Sequence, residues 1–98
     1  MVFEWDAGKN RSNRAKHGID FDTAARIFAD PFLLIRQDRL DKETGEQRWH
    51  ALGAVAGAGP SPILLVVHVY READNGEEII RIISARKARP SERQGYPG

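Results

Sequence analysis

Ile63 to Lys87, ILLVVHVYREADNGEEIIRIISARK, is the stretch that decides the fold. Two runs rich in β-branched residues, one over Ile63 to Arg71 and one opening at Ile79, flank the segment ADNGE. Such side chains suit a pleated surface better than a helix, and Asn75-Gly76 is the strongest short-range hairpin signal because both residues tolerate positive φ. The stretch therefore predicts an antiparallel hairpin. With Asn75 and Gly76 as its two loop residues, Tyr70 faces Arg81, His68 faces Ile83, Arg71 faces Ile80 and Val69 faces Ile82. Strand alternation then sorts the side chains. Val67, Val69, Ile80 and Ile82 belong under the helices, while Val66, His68, Tyr70 and Arg81 form a second, half-polar face.

Downstream, the second strand runs without a linker into Arg86, Lys87, Arg89 and Arg93, with only Glu92 opposing them. A strand pinned in a core holds such charges in a fixed place, as gripping a polyanion requires; the competing reading is a solvated tail.

Upstream, Gln47 to Leu52 is a weaker strand carrying Arg48, Trp49 and His50, followed by the loop AVAGAGPSP, with Gly57 to Pro60 at its centre. If this strand pairs beside the hairpin, Arg48 and His50 join the half-polar face. Phe32 to Ile35 reads as a strand passing into a polar turn around Gly45. Before it, Asp20 is an N-cap, and Phe21, Ala24, Ala25 and Phe28 recur on one helical face that Asp30-Pro31 ends. The first helix, between an Asp6 N-cap and Gly18, has no apolar face. Over Ala7 to His17 it offers two alanines and four unopposed cations, Lys9, Arg11, Arg14 and Lys16. Such a helix must be held by its ends or by a partner; it is either a solvated basic helix or a surface for RNA or an acidic protein. Val2 to Trp5 reads as an edge strand.

The length of 98 residues implies one domain, 1–98. The charge, 15 basic residues against 14 acidic, is nearly balanced, so a nucleic-acid role rests on placement and not on the total. The absence of cysteine excludes disulfides, thiolate metal sites and cysteine nucleophiles. With no signal-like or membrane-spanning run, the expected location is cytoplasmic. His50 and His68 suit general acid or base work, Tyr70 proton donation or stacking, and Arg48, Arg71, Arg81 and Arg86 stabilisation of a phosphate. Together these suit metal-free RNA cleavage by a 2′-hydroxyl. The three histidines lie far apart in sequence without ligand-spaced carboxylates, and there is no phosphate-cradling glycine motif, so neither a metal nor a cofactor is expected.

Phe3-Glu4-Trp5-Asp6, Lys9, Asn13, Lys16-His17-Gly18, Phe21, Phe28, Asp30-Pro31, Glu46, Arg48, Gly53, Tyr70-Arg71, Arg81 to Ala88, Glu92, Arg93 and Tyr96 run in an order that resembles the BrnT family, ribonuclease toxins of type II toxin-antitoxin modules. The resemblance implies a RelE-like α/β (α+β) domain. Its sheet is mainly antiparallel, of about four strands, with two N-terminal helices on one face and a short C-terminal helix. It also implies RNA cleavage that inhibits translation, neutralisation by a BrnA-like ribbon-helix-helix antitoxin, and operator DNA binding only through that antitoxin. As catalytic positions it implies Arg71, Arg81, Arg86, Lys87 and Tyr96, to which the residue chemistry adds His68. Arg48, His50, Tyr70 and Arg93 are expected to bind RNA, and Arg11, Arg14, Lys16 and His17 the antitoxin. Arg89-Pro90, Gly95 and Pro97-Gly98 depart from the family pattern and predict a frayed last helix. The alternative reading is an inactive nucleic-acid or antitoxin-binding module of the same fold.

Overall fold

The two β-branched runs do pair antiparallel, but not through a two-residue turn. In the computed structural model, which describes residues 1–57 and 61–98, the Ala73 N–H donates to Glu77 O and the Gly76 N–H to Ala73 O, each at 2.8 Å. The loop is therefore Asp74-Asn75-Gly76, and among these only Gly76 has positive φ, at 84°. That is the three-residue hairpin loop, a turn closed by a left-handed glycine. Its odd length shifts the register by one: Tyr70 faces Ile80, Arg71 faces Ile79, Val69 faces Arg81 and His68 faces Ile82. Further along, Val67 faces Ser84, so Ile83 is the extra residue of a β-bulge.

The slip inverts one strand and spares the other. Ile80 and Ile82 lie under the helices as expected, together with Ala85, whereas on the facing strand it is Leu64, Val66 and Tyr70 that join them. Val67 packs on the opposite side with Leu52 and Leu65. His68 and Tyr70, expected on an open half-polar face, thus point into the helical layer.

Among the described residues the sheet has five strands and is mixed. The strands are β1 (Val2–Glu4), β2 (Leu34–Leu40), β3 (Gln47–Ala54), β4 (Ile63–Glu72) and β5 (Glu78–Lys87), in the order β1-β5-β4-β3-β2. β1 is the edge strand read over Val2 to Trp5, which makes five where the resemblance implied about four, and it pairs parallel to β5, Phe3 opposite Ile80 and Glu4 opposite Arg81. The expected loop over Gly57 to Pro60 falls largely outside the described residues.

Helix α2 (Phe21–Ala25) begins at Asp20, whose carboxylate accepts the Thr23 N–H at 2.7 Å, and continues as a 3-10 turn over Arg26–Ala29. Phe21, Ala24 and Ile27 are fully buried against the sheet. Burying each of the two large side chains stabilises the fold by roughly 1.5–3 kcal/mol. Helix α1 (Ala7–His17) is capped as its sequence suggests, with Asp6 accepting the Lys9 N–H and Gly18 left-handed at φ 72°. What holds it is neither an apolar face nor its ends alone. Asn13 is buried, donates to Ala85 O at 2.7 Å and Ile19 O at 2.9 Å, and accepts the Ala85 N–H at 3.1 Å. Its amide takes the place of a neighbouring strand along β5 beyond the end of β1. One turn earlier Asn10 accepts the Phe21 N–H at 2.8 Å. The expected C-terminal helix is absent: Pro90 to Gly95 forms turns, which Gly95, left-handed at φ 88°, ends just before Pro97.

Candidate active site

The face of the sheet away from α2 is the open one, and its residues follow from the register. Glu4 lies opposite Arg81 and Arg81 opposite Val69. Arg71 shares their face two positions along β4. Glu4 takes a guanidinium nitrogen of Arg81 at 2.6 Å and lies 3.9 Å from Arg71, which also reaches Glu46 at 3.4 Å. Two arginines thus converge on one carboxylate with a second beside it, and side-chain exposures of 30–44% leave the group reachable from solvent. Neighbouring positions add His50, whose Nε2 lies 2.9 Å from Asp38, and Arg48, 3.7 Å from Asp41. Backbone hydrogen bonds from Thr44 and Glu43 hold the Asp41 carboxyl below its ordinary range.

The other end of this face is apolar and covered. Leu52, Leu65 and Val67, with Leu34, Ile63 and Ile83 around them, pack against Ala88 and Tyr96 of the tail. Arg86 makes two 2.7 Å hydrogen bonds to Glu92, which also accepts the Arg89 N–H at 2.7 Å. The guanidinium leads the causes that hold the Glu92 carboxyl down at about 2. The Tyr96 hydroxyl donates to Asp30, and burial together with that carboxylate pushes the phenol up to about 12. Asp30 also accepts the Ala54 and Phe32 N–H groups; burial pulls its carboxyl upward, but these donors and Tyr96 outweigh it.

Of the residues singled out from the sequence, the structure therefore brings Arg71, Arg81, Arg48 and His50 together on the open face. Arg86 is on that face but bound to Glu92, and Tyr96 is bound to Asp30. Lys87, opposite Leu64, is exposed on the helical side of the sheet at the far end of β5, and Arg93 is exposed in the tail. His68 is fully buried, its ring edge-on to Phe28 and Tyr70, and burial lowers its pKa to about 4. It is a neutral core residue and cannot meet substrate. Tyr70 is half-buried against Trp49 and His68 on the helical side. On α1, Arg11, Arg14 and Lys16 are exposed and His17 is half-buried. Sequence reasoning missed Glu4 and Glu46 as site residues. No local pattern marks Glu4, since it meets Arg81 only through the parallel pairing of β1.

A family model described as "Ribonuclease toxin, BrnT, of type II toxin-antitoxin system" matches residues 5–92. The chain belongs to the BrnT family. No curated protein matches it. Membership of BrnT makes it a ribonuclease toxin of a type II module, which implies an antitoxin partner. The BrnT match spans Arg48, His50, Arg71 and Arg81, whereas Glu4, Arg93 and Tyr96 lie outside it. Among the described residues, no three His, Asp or Glu side chains converge in this BrnT chain, and no helix is long and apolar enough to cross a membrane.

Proposed function

We propose that the chain is an endoribonuclease that cuts RNA without a metal ion, a 2′-hydroxyl attacking its own phosphate, and so inhibits translation. The observation that carries this reading is the convergence of Arg71 and Arg81 on Glu4 at an open face. A phosphate entering there competes with Glu4 for the guanidinium groups, which then stabilise the charge that grows in the transition state. The released carboxylate accepts the 2′-hydroxyl proton, with Glu46 beside Arg71 in reserve. Of the three histidines, His50 alone lies on this face, and beside Asp38 it is the donor to the departing 5′-oxygen. Arg48 holds the flanking backbone. The partner we infer is a BrnA-like ribbon-helix-helix antitoxin that alone contacts operator DNA, the module acting in the cytoplasm on a RelE-like fold.

One observation favours a second reading, an inactive binding module. The cations of the open face are each engaged by a carboxylate, Arg81 by Glu4, Arg71 by Glu46, Arg48 by Asp41 and Arg86 by Glu92. Induced expression separates the two. Cleavage predicts growth arrest and fragmented RNA, with purified protein still cutting in EDTA. Arg71→Ala and Arg81→Ala should each lower the rate about 10²- to 10³-fold without unfolding the chain. A wild-type protein that leaves RNA intact and growth unaffected in the absence of any antitoxin sinks the ribonuclease reading.

A further inference from the structure

The charges of α1 are arranged differently from those of the active face. Among the described residues, Lys9, Arg11 and Lys16 have no carboxylate at salt-bridge distance, while Arg14 leans toward Asp20 and helps lower its pKa behind the larger effect of the Thr23 hydrogen bonds. Lys9, Arg11 and Lys16 line an open concavity of about 590 Å³ that reaches across to Ser84 on β5. A second, of about 310 Å³, is lined by Lys9 again with Arg39, Lys42, Arg48 and Ile83. The two share Lys9, and their floors are the adjacent residues Ile83 and Ser84, where the β-bulge re-aims the strand. Arg48 then carries the second concavity onto the active face, and Ile83 is two residues, about 7 Å, from Arg81 along the strand.

We infer that these concavities form one continuous track for the phosphates of single-stranded RNA, running from α1 over the bulge to the Arg71–Arg81 pair. The inference rests on the ribonuclease reading above and says where its substrate lies. Its cations are Lys9, Arg11, Lys16, Arg39, Lys42 and Arg48, against the acids Asp6, Asp41 and Glu43. That is a surplus of three in a chain whose formal net charge is only +1, so the remainder of the molecule is net acidic. A polyanion is therefore drawn to this strip more than to the rest of the surface. No Phe, Tyr or Trp lines either concavity, so the track grips backbone and does not read bases. It also assigns α1 to substrate, the RNA surface that its residues allow, and not to the antitoxin expected there.

Binding of an uncleavable, fully 2′-O-methylated RNA oligonucleotide, followed by fluorescence anisotropy across a salt series, tests the track independently of cleavage. The triple variant Lys9→Gln, Arg11→Gln, Lys16→Gln should bind about tenfold more weakly, equally for two RNAs of different sequence, and its log K against log salt should flatten by about 2. The charge-conserving variant Lys9→Arg, Arg11→Lys, Lys16→Arg should keep the wild-type slope. The track is overturned if the neutral variant binds RNA as the wild type does, or if it loses only antitoxin affinity. It is also overturned if the charge-conserving variant weakens binding equally, since the loss is then structural. Failure of the ribonuclease reading looks different: RNA binding responds to these variants as stated, yet the wild type cuts nothing.

Discussion

His68 has no water to ionise into. Its side chain is 0% exposed between Phe28 and Tyr70, its Nδ1 lies 3.4 Å from Val66 O, its Nε2 has no hydrogen-bond partner among the described residues, and burial takes its pKa from 6.5 to about 4. In the unfolded chain the ring titrates near the ordinary value, so between about pH 6.5 and 4 the unfolded state holds the extra proton. Stability should therefore be complete above that window and fall as the pH drops through it, by about 3 kcal/mol in all. The carboxylates of Asp20, Asp30, Asp38 and Glu92 are all held below their ordinary values and lose their contribution at lower pH, around and below the ordinary carboxylate range. Denaturant midpoints across the upper window thus report mainly on His68. The variant His68→Leu should flatten that limb, and an acid limb unchanged by the substitution would show that the ring does not govern it.

Among the elements, α1 shows how a basic helix without an apolar face is kept in place. Asn13 supplies two donors and one acceptor to the backbone of Ala85 and Ile19. Replacing it by alanine leaves three buried backbone groups unpaired, at about 1–3 kcal/mol each. Even the low end of that sum is a large fraction of the 5–15 kcal/mol that stabilises an ordinary domain. Asn13→Asp separates hydrogen bonding from size. At neutral pH a carboxylate there accepts from Ala85 but repels the two carbonyl oxygens, so melting should fall further below the wild type near pH 7 than near pH 5, where protonation restores a donor. Equal losses at both pH values would rule out the amide as a two-way strand partner. The caps Asp6, Gly18 and Asp20 were legible because their partners lie within a few residues. Asn13 was not, because its partner is 72 residues away. The hairpin sits between these cases. Asn75-Gly76 fits a two-residue loop and equally the end of a three-residue loop, since both place glycine in a left-handed position. Local chemistry cannot choose between them, and the choice decided whether His68 met solvent or Phe28.

At the scale of the molecule, the forces that fold the chain and those that would bind RNA are separate. Apolar layers on the two sides of the sheet hold the fold, and the ion pairs of the open face are partly solvated. Pairs of that kind contribute roughly 0–1 kcal/mol and are screened by salt. The site was legible to the extent that it is cationic: Arg71 and Arg81 stand out by residue type, but a two-residue loop puts Arg71 on the packed face with Val67 and Val69, and only the three-residue loop brings it beside Arg81. The carboxylates between them were not legible, because a mixed sheet joins residue 4 to residue 81. The same separation makes a prediction about salt. A tenfold rise in salt should leave the melting temperature nearly unchanged, because the layers carry the stability. RNA affinity over the same range should fall roughly 10⁴-fold, as expected when the cations of the track neutralise about six phosphates, each with a slope near −0.7. Thermal melts and anisotropy titrations on one preparation check both halves. A melting temperature that falls in step with the affinity would mean that the open-face ion pairs hold the fold, and that Arg71 and Arg81 are structural first.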